Sequence, residues 1–163
     1  MATTVVDLRD WRRILLPCPI FPEPVVSYVF FVNNLSEVRA RIIEVLSKYG
    51  MPYVAFPDEN NIITCRMRFI LERDANLDTV TFVLDLDRIG IDFSHDPTQV
   101  LESTTKRAIA IINIAIALLR EIGLVNNESE TRVRESMLKS WSSWVEVYRP
   151  LLPIFLGKLM SDK

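Results

Sequence analysis

Two arginines, Arg66 and Arg68, sit two apart inside the apolar run NIITCRMRFILER, Asn61 to Arg73. At that spacing they share a face only if the run is a β-strand, because strand side chains alternate with a period of two. Two guanidinium groups on one sheet face can follow the phosphates of a nucleic-acid strand, or they can be neutralised by carboxylates on the next strand. The run TVTFVLDLD, Thr79 to Asp87, offers such carboxylates. In it Val80, Phe82, Leu84 and Leu86 face one way, and Thr81, Val83, Asp85 and Asp87 the other. Matching the apolar faces as a hairpin sets Phe69 opposite Leu84 and Met67 opposite Leu86. Arg68 then meets Asp85, and Arg66 meets Asp87. Asp85 and Asp87 could also bind a cation or act as an acid and base pair, but their position facing the arginines favours ion pairing.

A further pairing, of Phe56 with Ile63, brings Tyr53 beside Arg66. The outer face then carries Tyr53, Thr64, Arg66, Arg68, Ile70, Thr81 and Val83. An aromatic ring beside cations is a platform on which single-stranded nucleic acid can stack its bases. The segment Trp11-Arg12-Arg13 either extends that stripe or anchors the N-terminal arm, with Trp11 packed and both arginines solvated. Met137, Trp141, Trp144, Tyr148 and Leu151 recur at heptad-like spacing. That seam can pack inside the monomer, join two subunits, or present rings to bases.

Other chemistries are poorly served. The four glycines are isolated, so no phosphate-binding glycine loop can form. His95 is the only histidine, which excludes paired-histidine catalysis and His-rich metal sites. The run SHDP, Ser94 to Pro97, reads as a helix start. Cys18 and Cys65 form no CxxC. No catalytic residue, metal ligand or cofactor is expected, and the chain reads as a non-enzyme.

These side chains must be positioned by a single domain. The chain has 163 residues, 49% hydrophobic and 25% charged, enough to bury a core. Residues 1–24 read as an extended N-terminal arm, with four prolines in Leu15 to Pro24. Residues 25–163 read as one α+β domain. A strand spans Val25 to Val32; a helix follows, with Asn34 and Glu37 in capping-box spacing, and stops at Gly50. Pro52 to Pro57 is an edge strand. The two runs already described complete about four strands in the order β-α-β-β-β. Asp96 and Pro97 open a long helix ending at Gly123, apolar nearly all round and so buried on more than one side. A last helix runs from about Glu128 to Arg149, and residues 128–163 form a candidate dimerisation element. Strands followed by helices predict a mostly antiparallel sheet with the two long helices on one face.

A net charge of −2 argues against a general duplex-DNA coater. The longest apolar run, Ala108 to Leu119, is too short for a membrane span and is broken by Asn113. No secretory signal is apparent, so a cytoplasmic location is expected. The excess of arginine over lysine, with abundant Ile and Val, fits a thermophilic source.

The stretches ITCRMRFILER, AIAIINIAIALL and MLKSWSSWVEVY, in this order and layout, resemble the ThermoDBP family of Thermoproteales archaea. The resemblance covers the layout of most of the chain. It implies a sheet-and-helix fold, sequence-nonspecific binding of single-stranded DNA, and a homodimer formed through C-terminal helices. On this reading Trp11, Arg12, Arg13, Tyr53, Arg66 and Arg68 are the candidate nucleic-acid contacts, and Met137, Trp141, Trp144 and Tyr148 the candidate dimer contacts. The alternative is a protein-interaction or assembly module dimerising through the same helix.

Overall fold

The computed structural model describes residues 6–15, 25–86 and 97–148. The Pro-rich stretch 16–24, Asp87, His95, the Asp96 cap and everything after Tyr148 lie outside the described residues, as do the side chains of Trp144 and Tyr148.

The N-terminal segment is helical where it is described. A 3-10 turn at Leu8–Asp10 leads into one helical turn, α1, at Trp11–Ile14. Asp7 accepts a bond from the Arg9 amide and starts the 3-10 turn. Over Leu8–Ile14 the chain is thus helical in place of the expected extended arm, while the proline-rich part of that arm lies outside the described residues. Leu8, Trp11 and Leu15 are buried, and a helical repeat is what points all three at the core.

Strand β1 is Val25–Val32 and helix α2 is Leu35–Lys48. The Asn34 side chain accepts from the Glu37 amide at 3.1 Å, as the capping spacing predicts. Gly50 takes a φ of 67° just past the helix end. Then come β2 (Tyr53–Phe56), β3 (Asn61–Thr64), β4 (Met67–Asp74) and β5 (Leu77–Asp85). Helix α3 is Pro97–Ile122 and α4 is Glu130–Tyr148.

The fold is α+β, with one antiparallel sheet of five strands in the order β1-β5-β4-β3-β2. The fifth strand arises because the run Asn61 to Arg73 is a hairpin. Cys65 and Arg66 form its two-residue turn, Thr64 sits opposite Met67, and Arg66 takes a φ of 59°. The turn carries none of the glycine, asparagine or proline that normally announces one.

Val26, Ile62, Met67, Phe69, Leu71, Val80, Phe82 and Leu84 cover the inner face of the sheet and are buried. Phe69 stacks on Phe82 with centroids 5.2 Å apart. Helix α2 packs on β4 and β5, and α4 packs on β1. Helix α3 packs against α1, α2 and α4, which explains its apolar circumference: Ala108, Ile111, Ile112, Ile114, Ala115 and Leu118 are all fully buried. Its lone polar interruption, Asn113, accepts from the Arg134 side chain of α4 at 3.3 Å. Arg41 of α2 donates to the Ile122 carbonyl at 2.6 Å and so satisfies the end of α3.

Candidate interaction surface

Every described helix lies on one side of the sheet, so the alternate side chains of each strand form a second, open face. Strand pairing fixes its layout. One row runs Ser27, Val83, Arg68, Ile63, Val54. The next runs Val29, Thr81, Ile70, Asn61, Phe56. A third holds Phe31, Thr79 and Glu72. Most of these positions are apolar, and several are open to water: Phe31 is 72% exposed, Val54 56%, Val29 47% and Phe56 36%. Ile63, Ile70 and Val83 are half-buried between them. Arg68 is the one cation in these rows, and Glu72 the one anion.

Arg68 lies opposite Val83 on one side and Ile63 on the other, not opposite Asp85. The cause is the β4–β5 turn. It contains only Ala75 and Asn76, which sets Asp74 against Leu77 and Arg73 against Asp78. Phe69 therefore faces Phe82, two positions from the expected Leu84. Arg73 and Asp78 form an ion pair at 2.8 Å, and the Arg73 hydrogen bond holds the Asp78 carboxyl below its ordinary range.

The residues expected to form a nucleic-acid platform are not gathered on this face. Arg66 is in the β3–β4 turn, where its Nε donates to the Leu15 carbonyl at 3.2 Å and its own carbonyl accepts from the Asp85 amide at 2.8 Å. Thr64 points inward, 7% exposed, and donates to the Pro52 carbonyl at 2.8 Å. Tyr53, opposite Thr64, belongs to that same helix-covered face, at the rim. Trp11 is 8% exposed and its indole N–H donates to the Tyr49 carbonyl at 2.9 Å, so its ring is an anchor. Arg12 is exposed, with its guanidinium 5.2 Å from the Trp11 ring centre. Arg13 is exposed and sits 3.6 Å from Asp10. Both lie on α1, which packs on α3 and not on the open face.

The helical seam is also reassigned in part. Met137 is 1% exposed and Trp141 3%, so both already lie in the core of this chain. A buried side chain has no surface left for a second subunit, and these two are corrected from dimer contacts to core. Trp144 and Tyr148 lie on the same helix, their side chains outside the described residues.

A second concavity, of about 890 Å³, lies on the helical side between the N-terminal turn, α3 and the start of α4. Its charges engage one another. Arg120 bonds Glu130 at 3.0 Å and Asn127 at 2.7 Å, and Arg134 reaches Glu130 at 3.7 Å. At its margin the Glu121 carboxyl is held below its ordinary range, first by the Lys48 hydrogen bond at 2.8 Å and then by the Tyr49 hydroxyl. This is a network fastening α2, α3 and α4 together. Among the described residues no three His, Cys, Asp or Glu side chains converge as a metal site, and no helix is long and apolar enough to cross a membrane.

Phe31 and Val29 are the surface residues that sequence patterning misses. VVSYVFFV is apolar on both faces, and only Ser27 hints which set is outward. Compared with protein-family models, curated proteins and solved structures, the chain matches none.

Proposed function

We propose that this chain is a non-enzymatic interaction module that docks a protein partner on its open sheet face. The supporting observation is the set of exposed apolar side chains that this face carries from Val29 and Phe31 of β1 to Val54 and Phe56 of β2, with Phe31 72% exposed. Monomeric proteins seldom leave such a surface uncovered, and a contiguous patch of several hundred Å² marks a contact site. The favoured partner presents an apolar surface with a carboxylate positioned for Arg68. The charge balance supports a protein over a polyanion, because Glu72 and, at the end of β5, Asp85 share this face with Arg68.

A second reading, a sequence-nonspecific single-stranded DNA-binding protein, keeps one supporting feature. The exposed Phe31 and Phe56 rings share a face with the Arg68 guanidinium, the pairing that stacking and phosphate contact require.

One experiment separates the two. A photo-reactive phenylalanine analogue is placed at Phe31, and at exposed Arg132 on α4 as control. Cross-linking to one defined protein from Phe31 alone, with the purified partner then released by Val54→Lys, is the expected result. Equal cross-linking from both positions sinks the interaction reading. Salt-dependent binding of a labelled oligonucleotide that Arg68→Ala weakens replaces it with the second.

A further inference from the structure

The two edges of the sheet are unequal. Strand β2 has four residues, with Pro52 before it and Pro57 after it. A short edge bounded by prolines offers little to another strand. Strand β1, at the other end, has eight residues in unbroken register with β5. At about 3.3 Å per residue its edge is roughly 26 Å long. Pro24 precedes it as Pro52 precedes β2, but the strand itself contains no proline, glycine or charged side chain. Its backbone bonds run to β5, and among the described residues no other backbone group bonds to it. Among the described residues, the alternate N–H and C=O groups along the outer side therefore have no backbone partner, and a further strand could form a ladder there. Proteins normally blunt such an edge with lysine, proline or a bulge, and β1 has none of the three.

We propose that β1 pairs antiparallel with β1 of a second copy of this chain, joining two sheets into one of ten strands. The sequence of β1 selects this occupant. An uncharged strand can meet itself with no like charges opposed, and the eight residues of β1 offer a ladder twice as long as the other uncharged edge, the four-residue β2. The two-fold axis of such a pair stands perpendicular to the sheet. Val29 and Phe31 of one copy then lie beside those of the other on a common face, and exposed apolar area at both is withdrawn from water. A single strand edge buries less than a standard interface of about 1,600 Å², so the pair is expected to be a reversible one that forms and separates with concentration. This assembly does not depend on the docking proposed for the face: a monomer that still binds a partner there would refute the edge pairing alone.

Sedimentation velocity across the micromolar to millimolar range tests it, with amide hydrogen exchange read at both ends. The expected result is a monomer–dimer equilibrium in which amides of Val25–Val32 slow as concentration rises. The double variant Val29→Lys/Phe31→Lys should weaken association by about tenfold or more, since it sets like charges across the junction. Both sites are exposed, and an unchanged unfolding transition checks that the fold survives. A monomer at every concentration overturns the proposal. So does a dimer that the double variant leaves intact, or one that Trp144→Ala abolishes while the double variant does not.

Discussion

Phe31 and Phe69 are the same residue type in the same sheet, on opposite faces, and truncating each to alanine should give very different costs. Phe69 is fully buried and stacked on Phe82. Removing such a ring deletes its transfer free energy and leaves a cavity, typically about 3–5 kcal/mol. Phe31 is 72% exposed, so less than a third of its surface is covered. A phenylalanine buries about 150–250 Å² when fully enclosed; a third of that, at about 25 cal/mol per Å², gives about 1–2 kcal/mol as an upper limit. The two variants should thus differ by about 1–4 kcal/mol, a sizeable share of a typical total of about 5–15 kcal/mol. Urea unfolding with a shared m-value measures both. Phe31→Ala should also lower the fluorescence of a bound hydrophobic dye, whereas a folded conservative change at Phe69 should not. If Phe31→Ala costs as much as Phe69→Ala, the sheet face is covered, and the proposed docking surface loses its basis.

Three further outcomes follow from single contacts. Ala75→Gly should stabilise by about 0.5–1 kcal/mol in thermal unfolding, because Ala75 holds a φ of 55° that favours glycine and the gain is only partly offset by glycine's freer unfolded chain; no rise in Tm refutes it. Trp11→Phe should cost about 0.5–1.5 kcal/mol through the lost bond to the Tyr49 carbonyl, and Trp11→Ala about 3–5 kcal/mol, while Arg12→Ala stays within about 0.5 kcal/mol. Equal effects at Trp11 and Arg12 would show that the indole is not an anchor. Glu121 titrates below its ordinary value because Lys48 and Tyr49 bond its carboxylate. Its contribution is present above the usual Glu range and lost as pH falls through the lowered native value. Glu121→Gln should therefore flatten the acid limb of the stability–pH profile and, because Glu121 is what raises the Lys48 pKa, flatten the alkaline limb as well; an unchanged acid limb would contradict this.

The elements that the sequence disclosed well are those with local signals. Val25–Val32, the Asn34 cap and the Pro97–Ile122 helix all carry β-branched, capping or proline–glycine punctuation. The open face was not legible, for two physical reasons. At Cys65–Arg66 an arginine occupies the left-handed turn position, so a hairpin reads as one strand. Folding back there places Thr64 opposite Met67, on the inner face with it, and Tyr53 follows Thr64 inward. At Ala75–Asn76 the turn is shorter than the expected loop, and the register moves by two residues. A slip of two leaves every side chain on its own face, so the apolar pattern cannot detect it; only turn length can. The expected match of Arg68 with Asp85 failed for that reason alone.

Strand β1 carries both proposed surfaces, and this has a consequence for binding. Antiparallel pairing of β1 with its copy leaves both open faces on one side of a single sheet. A partner with two docking segments would then engage the second at a raised effective concentration, whereas a partner with one would gain nothing from the pairing. Val54 provides the control, since it lies on the open face at the β2 edge, far across the sheet from β1. Val54→Lys should weaken a one-segment and a two-segment partner to a similar degree per contact. Val29→Lys/Phe31→Lys removes the pairing as well as local contact, so it should cost the two-segment partner disproportionately. Diluting the wild-type chain below its dimerisation range should erase that excess. If the excess persists on dilution, the two faces do not act through paired β1 strands, and the open face binds as a single site.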